Sequence, residues 1–177
     1  MTRSVLEIGC GRKKTPGAVT VDINPRLQPD VVWDLNQIPY PFQESSFDEI
    51  LCSHVLEHLE NLVRVMEELH RLGRPGSIIR IHAPYFTSVN AYHDPTHRHF
   101  FTSRTFDYFC PEPSNELYDL DYSNARFRKR AARVLSRPGF LKDRVTRWIN
   151  HHLDFYEKRL AFVFPRFEIY YELEVLK

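Results

Sequence analysis

The sequence predicts an α/β protein built on one mostly parallel sheet. Three observations carry this reading. Short apolar runs rich in β-branched residues recur along the chain, helical patterns separate them, and the first run ends in a pair of glycines. At 177 residues, with 42% hydrophobic and 14% aromatic side chains, the chain is long enough to bury one full core. A single domain over residues 1–177 is expected.

Seven strands are expected in order. Residues 5–8 (VLEI) and 19–22 (VTVD) are short and apolar, and 31–33 (VVW) is shorter still. Residues 49–53 (EILCS) and 78–82 (IIRIH) supply the next two. Residues 127–135 and 167–176 are longer and more polar on one face, as antiparallel or edge strands are. Between the fourth and fifth strands, Leu62, Val65, Met66, Leu69 and Leu72 form an i, i+3, i+4, i+7 stripe, and "GRPG" at 73–76 closes that helix. A second helix over 140–160 places Leu141, Val145, Trp148, Ile149, His152 and Tyr156 on one face, where they are expected to bury a stripe. Residues 83–126 hold 10 of the 24 aromatics and several prolines but no clear element. Loops this long in compact domains tend to carry function.

Charge and cysteine usage narrow the partners. A net charge of +1 argues against a chain that binds polyanions over its whole surface, although 126–147 contains nine Arg or Lys against one acid, Asp143. Lys and Arg protecting an edge strand account for that stretch, and an anionic ligand, nucleic acid or a membrane surface are the alternatives. Cys10, Cys52 and Cys110 are widely spaced and odd in number, so they suggest neither a disulfide framework nor a thiolate zinc site. With no apolar run long enough for a span and no signal-like N-terminus, a soluble, cytoplasmic protein is expected.

The glycines locate a candidate site. Gly9 and Gly11 stand at the carboxyl end of the first strand, where open α/β sheets bind their ligands. The dinucleotide fingerprint wants a third glycine three residues later, where Lys14 stands, and an acid about 20 residues on, whereas Asp22 follows Gly11 by only 11. A carboxylate ending the second strand can accept from both vicinal hydroxyls of a ribose, so adenosine without a pyrophosphate is the better match. Asp34 closes "PDVVWDL" and would accept from an adenine amino group. Three strand ends thus offer glycine, acid and acid.

These segments, "VLEIGCG", "VTVDIN", "DVVWDLNQIPYPFQESSFDEILCSHVLEHL" and "ELHRLGRPGSIIRIHAP", resemble the class I S-adenosylmethionine-dependent methyltransferases, in particular the type 11 domain. The resemblance covers roughly residues 4–84 and continues more weakly to "FEIYYELEVLK". It implies a Rossmann-like sheet with an antiparallel C-terminal strand and S-adenosylmethionine as cofactor. By the same resemblance Glu7 would help place the methionine part, and Gly9 and Gly11 would pass beneath it. Asp22 would hold the ribose and Asp34, with Leu35, would meet the adenine; Ser53 and His54 would line the region of the methyl-bearing sulfur. This chain departs from the family in its crossovers. Only "RKKTPGA" separates Gly11 from the second strand and only "INPRLQP" follows it, so the usual helices do not fit and the cleft is either open or completed by a second subunit, as in a homodimer.

Two histidine clusters border this frame. Methyl transfer is an in-line displacement at an activated carbon, and a hydroxyl acceptor also needs a base. In "HVLEH", His54, Glu57 and His58 share one face of a helical turn. The pattern matches an H-x-x-E-H zinc-peptidase motif, but its place after a methyltransferase-type fourth strand argues against a peptidase. The ubiquinone-pathway O-methyltransferases look similar here and hold a divalent metal at this site, with a carboxylate where His54 stands. No metal is expected for this chain, and His54, Glu57 and His58 are the set that would hold one. The second cluster, "NAYHDPTHRHFF", falls in the 83–126 acceptor-side region. There Asp94 would orient a histidine, which makes His93 and His97 the candidate bases, with His54 and His58 on the acceptor side. Otherwise Pro95 makes a turn whose Asp94 and Thr96 satisfy local backbone groups. The expected reaction is methyl transfer to a small-molecule oxygen or nitrogen nucleophile. Without the N-P-P-Y type motif of base-amino methyltransferases, nucleic acid is disfavoured as acceptor. The alternative is a cofactor- or RNA-binding module of the same fold with little or no turnover.

Overall fold

The computed structural model describes residues 3–111, 117, 122–136 and 140–177. Arg137 and the side chains of Leu141, Lys142 and Asp143 lie outside the described residues. The strands are β1 (Val5–Ile8), β2 (Val19–Asp22), β3 (Val31–Val32), β4 (Phe47–Ser53), β5 (Gly73–Pro84), β6 (Arg126–Leu135) and β7 (Glu168–Leu176). They form one sheet of order β3-β2-β1-β4-β5-β7-β6. Neighbours from β3 to β5 pair in parallel, while β7 runs antiparallel to both β5 and β6. The antiparallel C-terminal strand inserts inside the sheet, and β6 takes the edge. No described helix is long and apolar enough to cross a membrane.

Helix α1 (Leu62–Leu72) joins β4 to β5. Asn61 caps it, its side-chain oxygen accepting from Arg64 N at 3.1 Å. Val65, Met66, Leu69 and Leu72 are almost fully buried, each adding roughly 1.5–3 kcal/mol of transfer free energy. The helix ends at "GRPG" as expected, but without a left-handed cap at its first glycine: Gly73 is extended, with φ −68°, and β5 begins there. What requires glycine at 73 is space, because a Cβ would lie 2.5 Å from Ser77 Oγ and 2.8 Å from Val175 Cγ2.

The crossovers from β1 to β2, β2 to β3 and β3 to β4 contain no α-helix; a 3-10 turn at Pro25–Leu27 is the regular element of the second. Carboxylates hold these short links. Glu7 accepts from Thr15 N at 2.7 Å and Thr15 Oγ1 at 3.1 Å, and Asp30 accepts from Thr20 N and Oγ1 at 2.8 and 2.7 Å. Without helix cover, Ile23 and Val32 are 64% and 52% exposed.

The aromatic-rich segment after β5 is partly core. Tyr85 bridges Phe101, and both are buried with Phe106 and Phe109, whereas Tyr92 and Phe100 stack on each other at the surface. The second helix is two, α2 (Phe140–His151) and α3 (Leu153–Arg159), broken at His152. Of its expected stripe, Ile149 and Tyr156 are buried but Val145 and Trp148 are half exposed, so the continuous buried face is not there. On the β6 edge, Arg128 and Arg130 pair with Glu174 and Lys129 with Asp107, which fits the edge-strand reading of the basic stretch.

Candidate functional site

Two of the hollows among the described residues bear on the site. One of about 580 Å³ lies between α2, α3 and the segment before β7, walled by Trp148, Tyr156, Val163 and Phe164, with no cluster of acids or histidines. The other, about 390 Å³, lies at the carboxyl ends of β1, β2 and β4 and is lined by Gly9, Gly11, Asp22, Ile23, Asp34, Leu35, Asn36, His54, Val55, His58 and Leu59. That volume falls within the ~300–1,000 Å³ of small-molecule sites. Apolar walls with a few converging polar groups make it the candidate site.

Its floor follows from local chemistry. Gly9 and Gly11 have φ of +63° and +56°, which an L side chain adopts only with strain. At Gly9 a Cβ would strike Val55, whereas at Gly11 it would meet open space. Asp22 organises the turn above: its Oδ2 accepts from Gly11 N at 3.0 Å and its Oδ1 from Asn24 N at 2.9 Å. Each oxygen keeps a second lone pair for a ligand. Asp34 takes the Asn36 backbone and side-chain N–H groups on Oδ1 alone, at 3.0 and 3.1 Å.

Of the cofactor residues read from the sequence, Gly9, Gly11, Asp22, Asp34 and Leu35 line this cavity together; Glu7 and Ser53 do not. Glu7 is buried with its carboxylate turned to Thr15, and Ser53 is exposed at the end of β4. Ile23, Asn36, Val55 and Leu59 line the cavity unforeseen. Ile23 and Asn36 each lie within two residues of a strand-end acid, so the turns that carry Asp22 and Asp34 were the signal.

The histidines divide. His54 and His58 border the cavity; His93 and His97 do not. His54 sits at φ +50°, in the left-handed region uncommon for such a residue. Its Nδ1 is 3.4 Å from Glu57 Oε1 and its Nε2 is 3.6 Å from Glu168 Oε1. The Glu57 carboxylate raises the His54 pKa above the usual imidazole value, against its own burial. His93 is exposed, and its nearest partner is the Val89 carbonyl at 3.4 Å. Asp94 orients neither His93 nor His97. It accepts from Thr96 N and Oγ1 at 2.9 and 2.7 Å, which holds its carboxyl below the usual range, and Thr96 Oγ1 lies 2.8 Å from His58 Nδ1.

The model of a family described as a methyltransferase domain matches residues 6–81, the span from β1 to β5 that builds this cavity. Over nearly its whole length the chain is similar in structure to a SAM dependent methyltransferase from Archaeoglobus fulgidus, with a TM-score of 0.62, 22% identity and 97% and 86% of the two chains covered. The fold is that of the class I methyltransferases. A second methyltransferase of this fold, S-adenosylmethionine dependent and from Mesorhizobium loti, superposes with a TM-score of 0.59 at 12% identity, covering 97% and 90% of the chains. The sterol 4-C-methyltransferase strm-1 of Caenorhabditis elegans is 30% identical over 74 residues, which is 42% of this chain and only 22% of the worm enzyme. S-adenosylmethionine is the cofactor that this methyltransferase fold and family match imply.

Proposed function

We propose that the 390 Å³ cavity holds S-adenosylmethionine and that the chain, as one domain in the cytoplasm, transfers the methyl group to a small-molecule oxygen or nitrogen nucleophile. One observation carries this: the glycine turn, Asp22 and Asp34 from three successive strand ends line one hollow. The residues fit the cofactor. Asp22 has acceptor capacity left for the ribose hydroxyls, Asp34 Oδ2 for the adenine amino group, and Leu35, Val55 and Leu59 give the base apolar walls.

In the reaction the acceptor attacks the methyl carbon, a carbon–oxygen or carbon–nitrogen bond forms, the carbon–sulfur bond breaks, and S-adenosylhomocysteine leaves. The protein aligns the nucleophile and excludes water. A hydroxyl acceptor must also lose its proton, and His54 and His58, which border the cavity, would take it. The RNA-binding alternative has less support, because Arg128, Lys129 and Arg130 already pair with acids of the chain itself.

Calorimetric titration with S-adenosylmethionine and S-adenosylhomocysteine tests this. Micromolar binding is expected, weakened at least tenfold in Asp22→Ala, about 1.4 kcal/mol. If neither ligand binds the folded protein, the reading fails.

A further inference from the structure

Two loops pinned together by the fold carry ligand atoms at the border of the cavity. The N–H groups of Arg98 and His99 both donate to the Glu57 carbonyl, at 2.7 and 3.3 Å, and His99 Nε2 lies 2.7 Å from the Leu59 carbonyl. The 3-10 turn Leu56–His58 is thereby laced to Arg98 and His99. One oxygen of Glu57 and one ring nitrogen each of His58 and His97 come within 4.8 Å of one another, and the two imidazoles lie 4.7 Å apart between centroids.

Glu57 is the telling member. Its side chain is 1% exposed, and neither carboxylate oxygen accepts a hydrogen bond. The nearest basic group, His54 Nδ1 at 3.4 Å, stands beyond ordinary hydrogen-bond length. An ionised carboxylate held this way carries a penalty of several kcal/mol unless a cation meets it.

Both histidines are held ready for such a cation. His97 Nδ1 is 3.1 Å from the Ala91 carbonyl, which can only accept, so the Nδ1 bears the proton and Nε2 keeps its lone pair. At His58 the same result follows in two steps. Thr96 Oγ1 donates its one proton to Asp94 Oδ1 at 2.7 Å, so toward His58 Nδ1 it can only accept. His58 Nε2 is therefore also a lone-pair donor. Outer hydrogen bonds of this kind are how metal-binding imidazoles are fixed.

We propose that Glu57, His58 and His97 bind a divalent first-row transition-metal ion. Two imidazoles and one carboxylate with open positions suit zinc or iron(II) rather than magnesium or calcium. Bonds of about 2.0–2.1 Å put tetrahedral ligand atoms roughly 3.3 Å apart, so small side-chain rotations close the set. The structure thus puts His97 in the place that spacing alone suggested for His54, which remains a neighbour of Glu57. His58 also borders the cavity, so on the methyltransferase reading the ion would offer Lewis acidity to an acceptor oxygen and leave His54 to receive the proton. Binding of the ion itself does not depend on that reading.

The test is calorimetric titration of metal-free protein with zinc chloride at neutral pH, without S-adenosylmethionine, supported by visible absorption of the cobalt(II) form. One ion per chain is expected. His97→Ala and Glu57→Gln should weaken binding at least 100-fold, and Thr96→Val, which touches no metal, by about 10–100-fold. If Glu57→Gln does not fold, the half-exposed His97 and the exposed Thr96 still decide the matter. Zinc uptake weaker than millimolar, or equal in wild type, His97→Ala and Thr96→Val, would overturn the proposal and mark the uptake as scattered surface histidines. Because no cofactor is present, failure of the S-adenosylmethionine titration leaves this result standing.

Discussion

Glu68→Ala is expected to destabilise the protein by about 2–4 kcal/mol and to loosen the cavity wall at Leu35. Glu68 sits on α1, 4% exposed, and accepts from the Tyr40 backbone N–H at 2.6 Å and from Arg71 through both oxygens, at 2.6 and 2.9 Å. Tyr40, itself buried, donates its hydroxyl to the Leu35 carbonyl at 2.9 Å, and Leu35 lines the cavity beside Asp34. Helix α1 therefore sets the position of the third strand-end loop through one carboxylate. Alanine leaves the buried Tyr40 N–H without an acceptor and Arg71 without its counter-charge. The cost falls below the ~3–5 kcal/mol of a fully buried pair, because Arg71 is 30% exposed and keeps its bonds to the Phe42 and Tyr40 carbonyls. Glu68→Gln, which retains an acceptor for Tyr40, should lose about half as much. Urea unfolding of the three proteins checks the ranking, and a loss under about 1 kcal/mol in Glu68→Ala would remove Glu68 from this role.

Such a residue shows where reading the sequence stops. The strands were legible because β-branched runs with glycine or acid at their ends have few other uses, and Asp22 and Asp34 were legible because strand-end acids in an open sheet face one crevice. Glu7 looked equivalent, but a sequence does not show which donor a carboxylate meets, and here Thr15 in the short crossover takes it. His58 and His97 belong to separate motifs. Only the bonds from Arg98 and His99 to the Glu57 and Leu59 carbonyls bring them together, so spacing within "HVLEH" pointed to His54 instead. The stripe on α2 failed for a related reason: periodicity shows that a helix has an apolar face but not that anything covers it, and Trp148 is 47% exposed.

Gly9→Ala tests the floor of the cavity directly. Holding alanine at φ +63° costs roughly 1–2 kcal/mol. The new methyl would also lie 2.5 Å from Val55 Cγ2 and 2.6 Å from Val55 Cβ. A rotamer change can move Cγ2 but not Cβ, so the backbone at 55 must shift, adding roughly 1–3 kcal/mol of overpacking. Val55 precedes the turn that carries Glu57 and His58 and follows His54, so the same displacement opens the cavity between the glycines and the histidines. At Gly11 the φ of +56° imposes a similar strain, but a methyl meets nothing, so Gly11→Ala should cost only about 1–2 kcal/mol. Combining Gly9→Ala with Val55→Gly isolates the contact: the double variant should be more stable than the sum of the single losses by at least about 1 kcal/mol. Additive losses would mean that φ strain alone makes glycine necessary at position 9. A favourable coupling would mean that close approach of β1 to the segment after β4 sets the shape of the site.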